Sequence, residues 1–342
     1  MKAASILFLA LALASCAEES SAVAPGPTLA TQAFSEDDDL WAMIPAEADL
    51  ALFADLAKLR DSPWTRESFA KASPGVGSDP AFAQMSAMDR LVFAKVPSLR
   101  DGATVLVAEG KVDREAMSKG FLAGGEVSNR STYRGAELLV RGDEALAFLG
   151  KRLALSGFTL AVRAVLDCNA GLARAMDSES WFKDLRGQLD KQRPTKSLVA
   201  SLYVHLQPAT REALLREMGE GGDLEDFGGR IDLDADFDAA AIGVLGTAIE
   251  ARDLAGRLGE RIRDARTRPI VAAFGLSSVL DSLRFSAKGS QVEASLHISE
   301  KERSEISHRI TMVTETLARM RADKPRADTP KDDKTNQENA QP

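Results

Sequence analysis

The sequence predicts an α+β fold: antiparallel sheets with helices packed on them, built as a diverged internal duplication and closed by a long C-terminal helix. Three observations lead there. Short runs of strand character alternate with helical runs through the middle of the chain. Glycine-marked turns join consecutive strands, as antiparallel neighbours require. The order strand–helix–strand–strand–helix occurs twice.

The first half spans residues 40–175. Asp49 to Leu56 (DLALFADL) is a buried-strand run. Ser62-Pro63-Trp64-Thr65-Arg66-Glu67 predicts a helix start, with Ser62 as N-cap and Pro63 in the first helical position. Arg90 to Val96, a turn at Asp101-Gly102, and Ala103 to Ala108 form a hairpin. A helix follows from Asp113, with Met117 and Phe121 on one face. Between Tyr133 and Leu155 the turns Gly142-Asp143 and Gly150-Lys151 divide three short antiparallel strands. A helix at Leu160 to Cys168 ends the half.

The second half spans 176–298. Ser197 to Leu206 is a strand, Pro208 to Met218 a helix, and Arg230 to Asp238 pairs with Ile242 to Ile249. A helix runs from Arg252 to about Asp264, another lies near Pro269 to Ser282, and a strand near Leu283 to Ile298 completes the half. The first elements begin alike, ALFADLAKLRDSPWTRESF against VASLYVHLQPATREALL, and so do the later helix entries, VLVAEGKVDREAM against VLGTAIEARDLAG. This is the sequence basis for the duplication. The closing helix, 299–323, carries Ile306, Ile310, Val313, Leu317 and Met320 in alternating steps of four and three, a narrow apolar seam. Such a seam docks on its own domain or pairs with another chain, and docking is the commoner outcome.

The two ends read differently. Lys2 gives a positive start, and Ala3 to Ala14 is an apolar stretch too short to span a bilayer, which needs roughly 20 residues. It ends in Leu13-Ala14-Ser15-Cys16, an aliphatic residue, two small residues and a cysteine. This resembles the bacterial lipobox of a type II signal peptide. The resemblance implies cleavage before Cys16, so that residues 1–15 are the signal peptide. It also implies diacylglycerol on the Cys16 thiol and a further acyl chain, such as palmitate, on the new amine. One acyl chain holds a protein on a membrane only marginally, and two or more hold it stably. Ala17 in place of Asp is compatible with sorting to the outer membrane. In general style the chain resembles uncharacterised envelope lipoproteins. Residues 16–39 then form the lipidated cysteine and a flexible Ser/Pro/Gly/Ala tether with a root-mean-square span of about 25–30 Å. Residues 324–342 hold no large apolar side chain and predict a disordered tail.

Composition narrows the function. The formal net charge is −8, so a phosphate backbone is an unfavourable partner and nucleic acid is excluded as the expected ligand. With Cys16 lipidated, only Cys168 remains, and the exported fold stands on its apolar core rather than on disulfides.

The most regular local pattern is Ile231-Asp232-Leu233-Asp234-Ala235-Asp236-Phe237-Asp238. Read as one strand, it puts Asp232, Asp234, Asp236 and Asp238 on one solvated face and Ile231, Leu233 and Phe237 in the core. The four aspartates are weak candidates for a divalent cation. An EF-hand loop counted from Asp232 would need Gly and Glu where Phe237 and Gly243 stand. Carboxylates on alternate strand positions also lie too far apart, at about 6–7 Å, for all four to hold one ion. His205 and His297 fall in strands and His308 in the last helix, none within a metal motif. Cys168 reads as a small buried hydrophobe rather than a nucleophile. Ser68-Phe69-Ala70-Lys71 and Ser180-Trp181-Phe182-Lys183 fit S-x-x-K without its companion triplets. Arg141-Gly142-Asp143 is a hairpin turn, and Trp64 and Trp181 are core anchors near helix starts.

No catalytic residue, cofactor or metal site follows from the sequence. The expectation is an exported lipoprotein of the periplasm and cell envelope, anchored at the outer membrane, that binds an unknown protein or ligand or serves a structural role. The alternatives are an envelope enzyme whose site forms only in the fold, and a carrier of apolar ligands.

Overall fold

The structure, a computed structural model, describes residues 39–65, 87–99, 102–123, 129–192, 198–208, 211–212, 224–269, 271, 276–305 and 308. The expected signal peptide, most of the tether, most of the helix expected from Pro208, the seam of the last helix and the tail lie outside the described residues. So do Ser68 and Lys71.

Strand β1 (Leu50–Asp55) runs into α1 (Leu56–Asp61), β2 (Met88–Lys95) and β3 (Thr104–Gly110) form the first hairpin, and α2 (Arg114–Ala123) follows. Then come β4 (Asn129–Tyr133), β5 (Ala136–Arg141), β6 (Glu144–Leu149), β7 (Leu153–Phe158), α3 (Thr159–Asn169) and α4 (Ser180–Gln192). The remaining elements are β8 (Leu198–His205), β9 (Leu224–Leu233), β10 (Phe237–Leu245), α5 (Ala248–Arg266), α6 (Ser277–Ser282), β11 (Arg284–Lys288) and β12 (Gln291–Ile298). All twelve strands join one sheet in the order β11-β12-β10-β9-β8-β1-β2-β3-β7-β6-β5-β4. Every pairing is antiparallel, so the molecule is α+β and rich in strand.

The centre of the sheet is the pairing of β1 with β8, where Leu52 faces Leu202. Counted outward from that pair, one side reads β1-β2-β3-β7-β6-β5-β4 and the other β8-β9-β10-β12-β11, so the two run alike for five strands and the first adds two more. On each side a helix, α2 or α5, follows the third strand in sequence.

The two faces of the sheet differ. The core face holds Ala51, Val92, Val105, Val107, Leu155 and Tyr203, closed over by α3, α4 and the 3-10 turn Leu40–Met43. Trp41, Phe182 and Tyr203 pack ring on ring there, with centroids 4.7–5.3 Å apart. The second face is covered at its two flanks. At one flank α1 and α2 pack on Met88, Leu91, Leu139 and Phe148. At the other, α5 packs on Leu245 and Val292.

Several boundaries differ from the sequence reading, each for a local reason. A short helix precedes the expected one: Asp55 caps α1, its carboxylate accepting from the Lys58 N–H at 2.8 Å, and Ser62 closes it. Ser62 Oγ accepts from the Trp64 N–H at 3.2 Å, and the helix expected from there lies beyond residue 65, outside the described residues. The three strands expected between Tyr133 and Leu155 gain a fourth, β4, whose sequence NRSTY is too polar to register as a strand. Arg134-Gly135, both at positive φ, turn it into β5. The single strand expected near 283–298 is a hairpin turned at Gly289, φ +60°. The strand expected to reach Ile249 stops at Leu245, because Thr247 caps α5.

The largest correction concerns 231–238. It is not one strand. It ends β9 at Leu233, turns through Asp234-Ala235-Asp236 and begins β10 at Phe237. The faces are also inverted. Arg230 and Asp232 lie on the core face, 3% exposed each, while Ile231, Leu233 and Phe237 are only half-buried on the other. Period-two alternation sorts side chains onto two faces without saying which is inner. Here the end of α4 decides it. Arg230 grips Asp232 with two nitrogens, reaches Asp190 Oδ1 at 3.0 Å and donates to the Leu189 carbonyl at 3.3 Å. Gly228 admits that helix, since a Cβ there would stand 3.1 Å from Leu189 Cδ1.

Candidate interaction face

The strands at the centre of the sheet carry apolar side chains on both faces, as strands buried on both sides do. On the core face Ala51, Val92 and Val107 are 0% exposed and Tyr203 3%, with Phe53 partly buried beside them. The same strands present Leu52 of β1, Leu202 of β8, Phe227 and Ile231 of β9, Leu233, and Phe237 of β10 to the second face. Register fixes this set. Leu52 pairs with Leu202, Leu202 with Gly229, and Leu233 with Phe237, while Phe227, Ile231 and Leu233 share the parity of Gly229. None of the six is fully buried.

This half-covered apolar area lies between the two covered flanks. A contiguous apolar area of that kind marks a binding surface on a soluble domain more often than plain surface. No helix among the described residues is long and apolar enough to cross a membrane.

One corner of the face is fixed in detail. Trp64 lies against Phe237, with ring centroids 5.5 Å apart, and its indole N–H donates to the Ala235 carbonyl at 3.2 Å. The Arg303 guanidinium stands 5.3 Å over the Trp64 ring and donates to the Pro63 carbonyl at 2.6 Å. Trp64 thus anchors a surface corner rather than the core.

The structure separates the four aspartates. Asp232 is committed to Arg230. Asp234 is exposed in the turn. Asp236 Oδ1 accepts from the Glu300 N–H at 2.9 Å, and Asp238 Oδ1 meets His297 Nδ1 at 2.8 Å. Among the described residues no group of three or more His, Cys, Asp or Glu side chains is placed to hold a metal.

The other reactive groups have structural partners too. Cys168 lies on α3 beneath the sheet, 7% exposed, and its thiol donates to the Arg174 carbonyl at 3.4 Å. Burial, with Glu47, Asp167 and Asp177 nearby, pushes its pKa up to about 12. The thiolate is the nucleophilic form, so this thiol is inert near neutrality. His205 meets Asp226 Oδ1 at 2.6 Å and stacks on Trp181 at 5.3 Å. Next to this pair the buried Asp49 keeps one oxygen, Oδ1, without a hydrogen-bond partner. Desolvation raises its pKa, opposed by the charge of Lys95. Glu109, 1% exposed, is held by Arg90 and Arg152 at the end of β3. A shallow cavity of about 380 Å³ opens there, edged by Lys111, Lys151 and Arg152 together with Asp89 and Asp113. Both signs of charge line it. Arg152 reaches Asp89, and Asp113 caps α2 by accepting from the Ala116 N–H at 2.9 Å.

Ser180 and Lys183 open α4, whose Lys183 N–H bonds the Glu179 carbonyl in the first turn. Arg141-Gly142-Asp143 is the β5–β6 turn, with Gly142 at φ +57°. Arg141 there is engaged by Glu144, by the Phe121 carbonyl at 2.6 Å and by the Phe121 ring at 4.6 Å.

The sequence reading missed the central face because the strand holding half of it was turned over. The available signal was the pair Arg230 and Asp232, two residues apart on a strand and able to neutralise each other inside.

No family model matches the chain, and no curated protein matches it. Among solved structures, it is similar to crystal forms of a protein designated TP0453. Form III is 13% identical with a TM-score of 0.49, over 80% of this chain and 100% of that one. Form IV is 12% identical with a TM-score of 0.47, over 79% and 96%. At these values the likeness carries nothing about function.

Proposed function

We propose that this chain is a lipid-anchored envelope protein whose exported domain works by binding, through the apolar centre of its second sheet face. The observation that carries the binding role is the contrast between the faces. The same strands bury Ala51, Tyr203, Gly228 and Arg230 on one side and leave Leu52, Leu202, Phe227 and Ile231 half-covered on the other. The anchor rests on Leu13-Ala14-Ser15-Cys16. Acylation there, to the outer membrane on the reading of Ala17, would set the domain about 25–30 Å off the lipid on its tether. The inert Cys168 and the dispersal of the four aspartates favour binding over chemistry.

The two halves, in this reading, descend from one unit by duplication, and 299–323 is a single closing helix. The matching outward order of strands from the β1–β8 pair supports the first, and the helical turn at residues 300–305 supports the second.

One experiment tests anchor and face together. The native chain, a Cys16→Ser chain and a Leu202→Asp chain are expressed in a bacterium that processes lipoproteins. The envelopes are washed in high salt, cross-linked and captured on the chain. Cys16→Ser leaves the membrane fraction. Leu202→Asp stays on the membrane and loses the native chain's cross-linked partners. Membrane retention of Cys16→Ser sinks the anchor, and unchanged partners in Leu202→Asp sink the face.

A further inference from the structure

The residues that follow β12 pass one corner of the apolar face. After β12, Ser299 opens a helical turn over residues 300–305. A reciprocal cap starts it. The Glu302 carboxylate accepts from the Ser299 N–H at 2.8 Å, and the Glu302 N–H donates to the Ser299 hydroxyl at 3.3 Å. Two outside contacts then aim the turn. Glu300 N–H is held by Asp236, and Arg303 by Pro63 and the Trp64 ring. Trp64 follows α1, which lies over β2 and β8. The turn therefore runs from the end of β12 past the β9–β10 turn to the segment that follows α1, on the side where Trp64 rests on Phe237.

Its rotational setting is fixed as well. Ser299, Glu302 and Arg303 are partly covered, while Lys301, Ser304, Glu305 and His308 are exposed. The covered side continues by helical steps from Ser299 to Arg303, then to Ile306, Ile310, Val313, Leu317 and Met320. These steps alternate four and three, so the apolar seam lies on the same side as the anchored residues. Resting on the binding reading of that face, we infer that the seam of residues 306–320 is its occupant. The chain's own C-terminal segment lies across Leu52, Leu202 and Ile231 and competes there with any external ligand.

Dimensions agree. As a helix, residues 306–321 extend about 24 Å. Strands lie about 4.8 Å apart, so that length crosses about five strand spacings. From β10 this carries the seam over β9, β8, β1 and β2. On the same helical count Glu315 lies opposite the seam, while Arg309, three residues after Ile306 and four before Val313, flanks it.

The test uses the full chain with Cys16→Ser, so that the buried Cys168 is its only native thiol. Leu202→Cys is paired with Val313→Cys, or with Glu315→Cys on the opposite side of the segment, and a short bis-maleimide is added. A bridge within one chain that forms with Val313→Cys and far less with Glu315→Cys is the expected result. No bridge, equal bridging from both positions, or bridging only between chains overturns the inference, the last by making a second copy the occupant. Anilinonaphthalene sulfonate fluorescence probes the face separately. Ile310→Asp/Leu317→Asp should raise dye binding severalfold, and adding Leu202→Asp should remove the gain. Dye binding that the seam changes leave unaltered but Leu202→Asp abolishes overturns the occupant and keeps the face. Dye binding insensitive to Leu202→Asp, or none in any form, overturns the face itself.

Discussion

At the scale of single residues, the charges that matter most to this fold are those it takes inside. Arg230 is 1% exposed at its side chain, and its forked contact with Asp232 is backed by Asp190 and the end of α4. Forming such a pair gains little over apolar residues, but removing one member strands the other in a dry interior. Asp232→Ala should therefore destabilise the domain by about 3–5 kcal/mol, measured by urea unfolding. Arg230→Met/Asp232→Leu should recover most of the loss. A near-neutral Asp232→Ala would mean that water already reaches the guanidinium. Asp49 makes the opposite case. Burial raises its pKa, so the folded state favours the protonated acid. Its contribution is full below the ordinary aspartate value of about 3.9 and is lost as pH rises through the raised value. Asp49→Asn should flatten that decline in thermal stability above about pH 4, and an unchanged slope against native protein would refute the assignment. Neither residue was legible as buried from sequence. Charged residues are mostly exposed, and for Arg230 and Asp232 only the partners on α4, distant in the chain, overturn that expectation.

At the scale of elements, legibility followed the chemistry of the ends. The β2–β3 hairpin, α2 with Met117 and Phe121 inward, and α3 were readable because apolar period and turn residues agree there. Elements whose ends are set by side-chain caps were read less well. The α5 helix begins several residues earlier than expected because Thr247 and Glu250 cap each other reciprocally. Only Ala251 of its 19 residues is fully buried, so this helix depends on its cap more than a core helix does. Thr247→Ala should cost about 1 kcal/mol and Thr247→Ser a small part of that, read from denaturant midpoints. Equal midpoints for all three forms would show that packing on β10 and β12 alone holds it. β4 escaped notice for a related reason: at the sheet's end it needs no apolar alternation, only a partner in β5.

At the scale of the whole molecule, α+β class and antiparallel pairing were legible, and the number of sheets was not. Nothing local in ALFAD or SLYVH states that these two runs are neighbours. That they pair joins both halves into one twelve-stranded sheet and brings Leu52 beside Leu202, which creates the apolar centre. The pairing also has a kinetic consequence. All other neighbouring strands lie within one half of the chain, while β1 and β8 pair across the two halves. Closing so long a loop is entropically expensive and slow. Until it closes, each half shows a bare strand edge, and the two edges are complementary by construction. A β1 edge fits the β8 edge of another molecule as well as its own. Refolding at high protein concentration therefore yields exchanged dimers, joined through the same residues that close the monomer.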